Sequence, residues 1–265
     1  MPRYKVCGGG VTQRALLKMP VDIKPVIQQS IDTFELVRKG GSRVTFRHKR
    51  PFMYCVMRDE MDLLLARHAV ACGAELKTGA FVQKLVEQPD RVMVSTREEV
   101  FTSRYVVGAD GVNSLVAKQL GLMKGRRKAL TLEWEMETDP SLLDRYNGRI
   151  LLDYGLVRNG YAWLFPKKSH LSIGVGSYSL DYPALSGLLR EFIAAGNLQG
   201  GVLSAKASFL SSGGEQERIM VWWTHSAEKE FIMLYGVLNC LLSVCTRVYM
   251  GRLRLLLPTS PMWNA

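Results

Sequence analysis

Three short stretches hold residue types able to do chemistry at the spacing chemistry needs. In Cys7-Gly8-Gly9-Gly10, three successive residues without side chains stand beside a thiol. Backbone of that kind can lie flat against a planar ring and aim N–H groups at it. Arg3 and Lys5, just upstream, carry the charge that a pyrophosphate requires. A flexible loop with an incidental cysteine has the same composition. In Tyr105-Val106-Val107-Gly108-Ala109-Asp110-Gly111-Val112-Asn113-Ser114, an apolar β-branched run enters a glycine-flanked turn with one carboxylate, then a helix start. Gly108 and Gly111 let the backbone turn tightly and approach a ligand. In open α/β sheets ligands lie outside the carboxyl ends of strands, which is where this turn falls. An ordinary strand–turn–helix corner reads the same way. In Tyr161-Ala162-Trp163-Leu164-Phe165-Pro166, the two-residue period of a strand sends three aromatics to one face. Such a wall suits a long apolar chain lying against it, or one side of a sandwich core.

The elements around these stretches follow from their punctuation. Asn113 or Ser114 is placed to cap a helix over Leu115–Leu120, and Gly121 to end it. Phe52 to Met57 reads as a strand, and Asp59 as the cap of a helix from Glu60 to Cys72 with Gly73 as its stop. Met61, Leu64, Leu65, His68, Ala69 and Cys72 form its apolar stripe, which makes His68 a packed helix histidine. Arg58 then stands between strand and helix, the position of a ligand-facing loop residue or of a surface ion pair. Residues 14–38 read as short helices and connections broken by Pro20 and Pro25, with Phe34 to Val37 and Ser42 to Arg47 as strands. Ala74 to Leu76 and Ala80 to Val82 are predicted strands, followed by a hairpin over Arg91–Thr96 and Val100–Ser103. Beyond Lys128 the alternation becomes that of an antiparallel sheet. Its strands are Leu130 to Met136, Ile150 to Tyr154, Tyr161 to Phe165 and Leu171 to Val175, joined by turns such as Asn159-Gly160. Leu185 to Ala195 fits an amphipathic helix outside that sheet. The expected fold class is α/β (α+β), an incomplete Rossmann-like domain interleaved with an antiparallel-sheet domain. The expected divisions are 1–50, a loop and linker; 51–125, the dinucleotide domain; 126–215, the antiparallel substrate domain; and 216–265, a tail.

Composition narrows the partners. A net charge of +11 favours anions: cofactor phosphates, an acidic membrane surface, a diphosphate-bearing lipid or nucleic acid. The charge is scattered apart from Lys124-Gly125-Arg126-Arg127-Lys128, and no aromatics interleave with that cluster, which argues against nucleic acid. Cys7, Cys55, Cys72, Cys240 and Cys245 show no metal-ligand spacing and are odd in number, so no metal is expected and a reducing compartment is. No signal peptide opens the sequence, and nothing before residue 230 is apolar enough to span a bilayer.

Taken as one string, Gly108-Ala109-Asp110-Gly111-Val112-Asn113-Ser114-Leu115-Val116-Ala117 resembles the second dinucleotide fingerprint of FAD-dependent oxidoreductases with the hydroxylase-like two-domain fold. Pro2 to Gly10 and Tyr161 to Pro166 narrow the resemblance to the geranylgeranyl reductase family, over roughly residues 1–215. The resemblance implies FAD as cofactor and the saturation of isolated double bonds in geranylgeranyl or related isoprenoid chains for lipid biosynthesis. Reduced flavin would supply hydride and an acid the proton. An electron donor such as NAD(P)H or ferredoxin is implied, as is a cytoplasmic location, peripheral at the membrane surface. By the same resemblance Cys7 is the catalytic candidate, at the flavin's substrate side with Gly8, Gly9 and Gly10. Arg58, Asp110 and Gly111 become flavin contacts, and Tyr161, Trp163 and Phe165 line the lipid.

Two parts of the resembled pattern are missing. The family's G-x-G-x-x-G unit, which should precede the cysteine–glycine motif, does not occur. Near residue 220 the family has G-D-A-A-G and then G-E-G-I, where this chain reads Ile219-Met220-Val221-Trp222-Trp223-Thr224-His225-Ser226. Read two nucleotides later, the codons allowed for Met220 to Leu238 permit G-L-V-D-P-L-S-G-E-G-I-Y-Y-A-L, so an out-of-frame tail is expected. The rival is that Phe231 to Cys245 is a genuine apolar helix. Two other functions stand beside the reductase. One is an FAD-dependent monooxygenase of aromatic or quinone rings, which shares the fold and the G-A-D-G turn. The other is a non-catalytic remnant that holds no flavin.

Overall fold

The computed structural model describes residues 3–121 and 127–212, together with the strands at 231–235 and 253–257. The chain divides into two units, one formed by residues 2–61 with 127–212, the other by 62–126 with 213–265.

The first unit is built on a seven-stranded sheet. Across it run β15 (Val202–Ser212), β11 (Arg127–Glu137), β14 (His170–Ser177), β13 (Gly160–Pro166), β12 (Arg149–Asp153), β3 (Thr33–Val37) and β4 (Arg43–Arg47). Neighbours are antiparallel except β12 and β3, which are parallel. The turn into β13 uses Asn159 at φ 51, and Asp153 starts the loop by accepting the N–H groups of Gly155 (2.7 Å) and Leu156 (3.0 Å). A smaller antiparallel sheet has the order β1 (Gly10–Thr12), β5 (Met53–Val56), β2 (Ile27–Ile31). Two short helices, α1 (Gln13–Leu16) and α4 (Pro140–Arg145), are capped by the Thr12 hydroxyl and the Asp139 carboxylate.

Alternation gives the large sheet two different faces. One carries Leu132, Met136, Ala162, Leu164, Ile173 and Val175, packed with Leu185, Leu189 and Phe192 of α5 (Tyr182–Ala195). Asp181 caps that helix through the Ala184 N–H (3.1 Å), and Pro183 lies in its first turn. On the other face the register sets Tyr161 against Gly176, Trp163 against Gly174 and Phe165 against Ser172, and on β11 these meet Thr131, Glu133 and Glu135. β14 therefore presents almost no side-chain bulk there. The Trp163 ring uses the space: a Cβ on Gly174 would fall 2.1 Å from Trp163 Cζ2.

The second unit holds a parallel sheet ordered β10 (Tyr105–Ala109), β16 (Phe231–Tyr235), β17 (Leu253–Leu257), β6 (Glu75–Thr78). An antiparallel trio, β7 (Lys84–Glu87), β8 (Val92–Ser95) and β9 (Val100–Ser103), accompanies it. The chain passes from the first unit to the second along α2 (Arg58–Ala71), and α3 (Leu115–Gln119) follows β10.

Three expectations change. The strand predicted at 80–82 is not one; β7 starts at Lys84, and Ala80 and Val82 pack onto Val94, Phe101 and Val116 instead of joining a ladder. Residues 27–31, expected among helices and connections, form β2 because they pair with β5. Phe231–Tyr235 is a strand, in register with Tyr105–Ala109, and not the start of an apolar helix. Residues 213–230, where the ribityl turn was sought, and 236–252 lie outside the described residues. No described helix is long and apolar enough to cross a membrane.

The glycines give a stability test with two signs. Gly174→Ala drives a methyl into Trp163 and to 2.6 Å from the Leu132 carbonyl. It should cost about 3 kcal/mol, the upper range for overpacking. Gly187, exposed in mid-α5 with nothing within 4 Å of its Cβ position, should gain about 0.5–1 kcal/mol as alanine. Thermal denaturation of both variants checks the pair.

Candidate active site

The N-terminal segment crosses the aromatic face of the seven-stranded sheet and is fastened there by buried hydrogen bonds. Glu133 has no exposed surface, and its Oε1 accepts the Cys7 N–H (2.9 Å) and the Tyr4 hydroxyl (3.0 Å). Tyr4 also donates to Glu135 Oε1 (3.1 Å), two residues along the same strand. His170 Nε2 lies 3.1 Å from Glu135 Oε2, forming an ion pair when the ring is protonated. From the next turn comes Lys167, also without exposed surface, whose Nζ donates to the carbonyls of Gly8 (2.8 Å) and Val56 (2.9 Å). A buried carboxyl holds the Cys7 N–H, and a buried amine holds the Gly8 carbonyl.

The glycines are forced by this packing. Gly9 has φ +72, and a Cβ on it would lie 2.0 Å from the Val56 carbonyl oxygen and 2.9 Å from Lys167 Nζ. Cβ atoms on Gly8 and Gly10 would reach 2.7 and 3.0 Å from the Phe165 ring. The loop and the aromatic motif therefore pack directly together. Cys7 is half-buried, and its Sγ accepts the Gly9 N–H at 3.4 Å. Along β13, Tyr161 stacks obliquely between Tyr154 (5.3 Å) and Trp163 (5.8 Å) and is 37% exposed. Trp163 is buried, with its Nε1 unpartnered. The principal core takes Ala162 and Leu164 from this strand, not the aromatics.

Burial sets the acid–base character. The Glu133 carboxyl is pushed up, first by desolvation and then by the Glu135 charge, with the Cys7 N–H, Lys167 and Tyr4 opposing. The Tyr4 phenol is held far above its ordinary range by burial and by both carboxylates, so it stays a donor. Burial pushes Cys55 up to about 11, so that thiol is a small core side chain. Tyr161 is also raised, by burial and then by Tyr154 and Cys7.

The remaining expected residues sit elsewhere. Arg58 opens α2, with Asp59 and Glu60 behind it in the first turn. Asp110 belongs to the second unit, where its carboxylate accepts the Ser114 hydroxyl and the N–H groups of Leu115 (2.7 Å) and Val116 (3.2 Å). Ser114 caps α3 through the Ala117 N–H (2.9 Å), and Gly121 at φ +69 follows the helix. Gly111 needs its φ of +84, and Gly108 lets Val116 close on β10, its Cβ position lying 2.8 Å from that side chain. Sequence alone did not single out Tyr4, Glu133, Glu135, Lys167 or His170. The usable signals were acids at alternate positions of one strand, Glu133, Glu135 and Glu137, and a lysine immediately after Phe165-Pro166.

Comparison with known proteins agrees with this layout. The profile described as "FAD binding domain" matches residues 22–146. Digeranylgeranylglycerophospholipid reductase of Methanocaldococcus jannaschii is 31% identical over 169 residues, 61% of this chain and 42% of that protein. The crystal structure of a geranylgeranyl bacteriochlorophyll reductase-like protein from Thermoplasma acidophilum superimposes with a TM-score of 0.66 at 18% identity, covering 81% of this chain and 58% of that one. The halogenase PltM, in complex with phloroglucinol and FAD, shares the fold at a TM-score of 0.57 and 14% identity, covering 75% of this chain and 46% of its own. The chain spans about half the length of the curated relatives it matches. These findings show a match to an FAD-binding domain and the mixed α/β fold shared with flavin-dependent enzymes. Among the relatives of known name, the chain is similar to geranylgeranyl reductases over part of their length.

Glu133 provides a pH test. Its folded state favours the protonated carboxyl, so its contribution to stability is complete below the ordinary glutamate pKa of about 4.3 and is lost as pH rises beyond it. Glu133→Gln keeps an oxygen for the Cys7 N–H and the Tyr4 hydroxyl but cannot ionise. The melting temperature of the unsubstituted chain should therefore fall relative to that of the variant from about pH 4 upward. A constant difference across that range would mean that Glu133 is ionised in the fold.

Proposed function

We propose that this chain carries the reacting region of an FAD-dependent reductase that saturates isoprenoid double bonds in geranylgeranyl-type lipids. The contact of Phe165 with Gly8 and Gly10 carries this reading, because it joins the cysteine–glycine loop and the aromatic wall into one site. A glycine backbone beside a thiol and three aromatics fits the ring end of FAD and a flat apolar substrate. The sequence contains no G-x-G-x-x-G loop for the nucleotide end.

Bound FAD, recharged by a donor such as NAD(P)H or ferredoxin, supplies the hydride. This chain's residues do the rest. Tyr161, Trp163 and Phe165 lay the prenyl chain along one strand and keep water from it. Cys7, whose sulfur already accepts the Gly9 N–H, supplies the proton from Sγ to the alkene carbon. Glu133 and Lys167 fix the Cys7–Gly8 peptide so that the thiol keeps its place against the wall. In the other unit Asp110 holds the turn at the head of α3, where the family resemblance puts flavin contacts at Asp110 and Gly111. The location that fits this chemistry is cytoplasmic, at the membrane surface where such lipids reside.

The test is anaerobic. The full chain, reconstituted with FAD and reduced with dithionite, should add hydrogen to a geranylgeranyl lipid, read by mass spectrometry. Trp163→Phe should lower turnover about tenfold, the equivalent of ~1.4 kcal/mol of lost aromatic contact, with flavin binding unchanged. Equal loss of flavin binding would remove Trp163 from the lipid wall. Oxygen consumption coupled to an aromatic substrate would favour the monooxygenase instead. Protein that gains no flavin at all would leave the reaction without its hydride source.

A further inference from the structure

The β3–β4 hairpin lies at the open edge of the seven-stranded sheet, with β4 as the terminal strand. From Arg38 to Arg50 it carries Arg38, Lys39, Arg43, Arg47, Lys49 and Arg50, and no aspartate or glutamate occurs between Leu36 and Arg58. All six are exposed, and no ion pair among the described residues involves them. The acid that does face this region, Glu35 on β3, is buried and engaged by Arg149, while Tyr146 lies near Arg43. At the tip, Gly40 and Gly41 take φ values of +87 and +78 with nothing within 4 Å of their Cβ positions. The tip is open at Gly40 and Gly41, while the Arg38 and Lys39 backbone packs against Gly155.

The hairpin also has an apolar side. Phe46 is 56% exposed, stacked on Phe34 with ring centroids 6.1 Å apart and an interplanar angle of 23°. Phe34 in turn packs with the cluster that includes Ile150, Met53 and Phe165. Protecting an edge strand from pairing takes a charge or two on that strand. It accounts neither for six cations without a counter-charge nor for a phenylalanine left in solvent above them.

We propose that the β3–β4 hairpin is the surface by which this unit docks on an anionic lipid bilayer. The six cations meet headgroup phosphates, and Phe46 enters the boundary between headgroups and acyl chains. A bilayer is favoured over nucleic acid because the exposed aromatic is a single ring at a hairpin edge, not a series of platforms along a groove. The choice of a lipid partner rests on the reductase reading, since a prenyl lipid must reach Phe165. The surface and its charge do not.

The experiment uses the full chain without flavin or prenyl substrate, so its outcome is separate from that of the reductase assay. Sedimentation with phosphatidylcholine vesicles, with and without phosphatidylglycerol, should show binding only to the anionic vesicles, weakening as salt is raised. The triple variant Lys39→Glu, Arg47→Glu, Lys49→Glu should bind at least about a hundredfold more weakly, given roughly fivefold for each basic residue near the surface. Phe46→Ser, checked for native circular dichroism, should keep the salt dependence while binding less tightly. The control Lys84→Glu, Arg91→Glu, Arg97→Glu makes the same charge change in the other unit and should retain binding. Equal loss in the control would show that only net charge acts, and would overturn the proposal. So would equal binding to uncharged vesicles, or preference for a single-stranded oligonucleotide over anionic vesicles.

Discussion

Glu133 and Lys167 are a buried acid and a buried base that hold the peptide groups on either side of the Cys7–Gly8 peptide. One accepts the Cys7 N–H, and the other donates to the Gly8 carbonyl. Two carbonyls compensate the buried Lys167 amine, and burial pushes the Glu133 carboxyl toward its neutral form, so both groups can sit inside while fixing the backbone between them. The segment so fixed is the one with no side chains of its own to hold it. Once the Cys7–Gly8 peptide is set, the contact with Phe165, the fit of Gly9 under the Val56 carbonyl and the position of the Cys7 thiol all follow. Tyr4 donates to the second carboxyl, Glu135, and His170 lies 3.1 Å from its other oxygen, an ion pair when the ring is protonated.

The two faces of the large sheet divide the work. The face under α5 is conventional core, with aliphatic side chains interlocked against Leu185, Leu189 and Phe192. On the opposite face β14 contributes Gly174 and Gly176; Trp163 of β13 fills the space over the first and Thr131 of β11 the space over the second. A side chain at Gly174 would push the Trp163 ring away from the sheet, and one at Gly176 would crowd Thr131. The glycines thus determine how close the aromatic wall lies to Glu133 and the Cys7 loop, although no reactive group belongs to them.

Much of this was legible from sequence. The strands around Tyr161-x-Trp163-x-Phe165, the helix stops at Gly73 and Gly121, the Ser114 cap and the two-sided character of β13 follow from period and punctuation. Others were not, for physical reasons. Glu133 and Glu135 alternate with Leu132, Trp134 and Met136, and such alternation ordinarily means polar residues toward water. Here the N-terminal segment covers that face, a contact between residues more than a hundred positions apart. Lys167 follows a turn and reads as surface, yet its amine is fully enclosed by two carbonyls from other segments. Long-range closure of this kind leaves no trace in local pattern.

A motif's presence and its chemical use are separate matters in this fold. Asp110 is fully explained by α3, whose first N–H groups and Ser114 hydroxyl occupy its carboxylate. Gly9 and Gly108 are explained by backbone and side chains that leave no space for a Cβ. These residues would be kept by folding alone, so they carry little weight as witnesses to a cofactor. Three features are not required by packing. A half-buried thiol stands at a clamped loop, Tyr161 is partly open to solvent, and the buried Trp163 Nε1 has no acceptor. A buried indole N–H without a partner costs stability in the free protein, and a bound group carrying an acceptor recovers it. Those three features point to a ligand on this face more strongly than the glycine motifs that first draw attention.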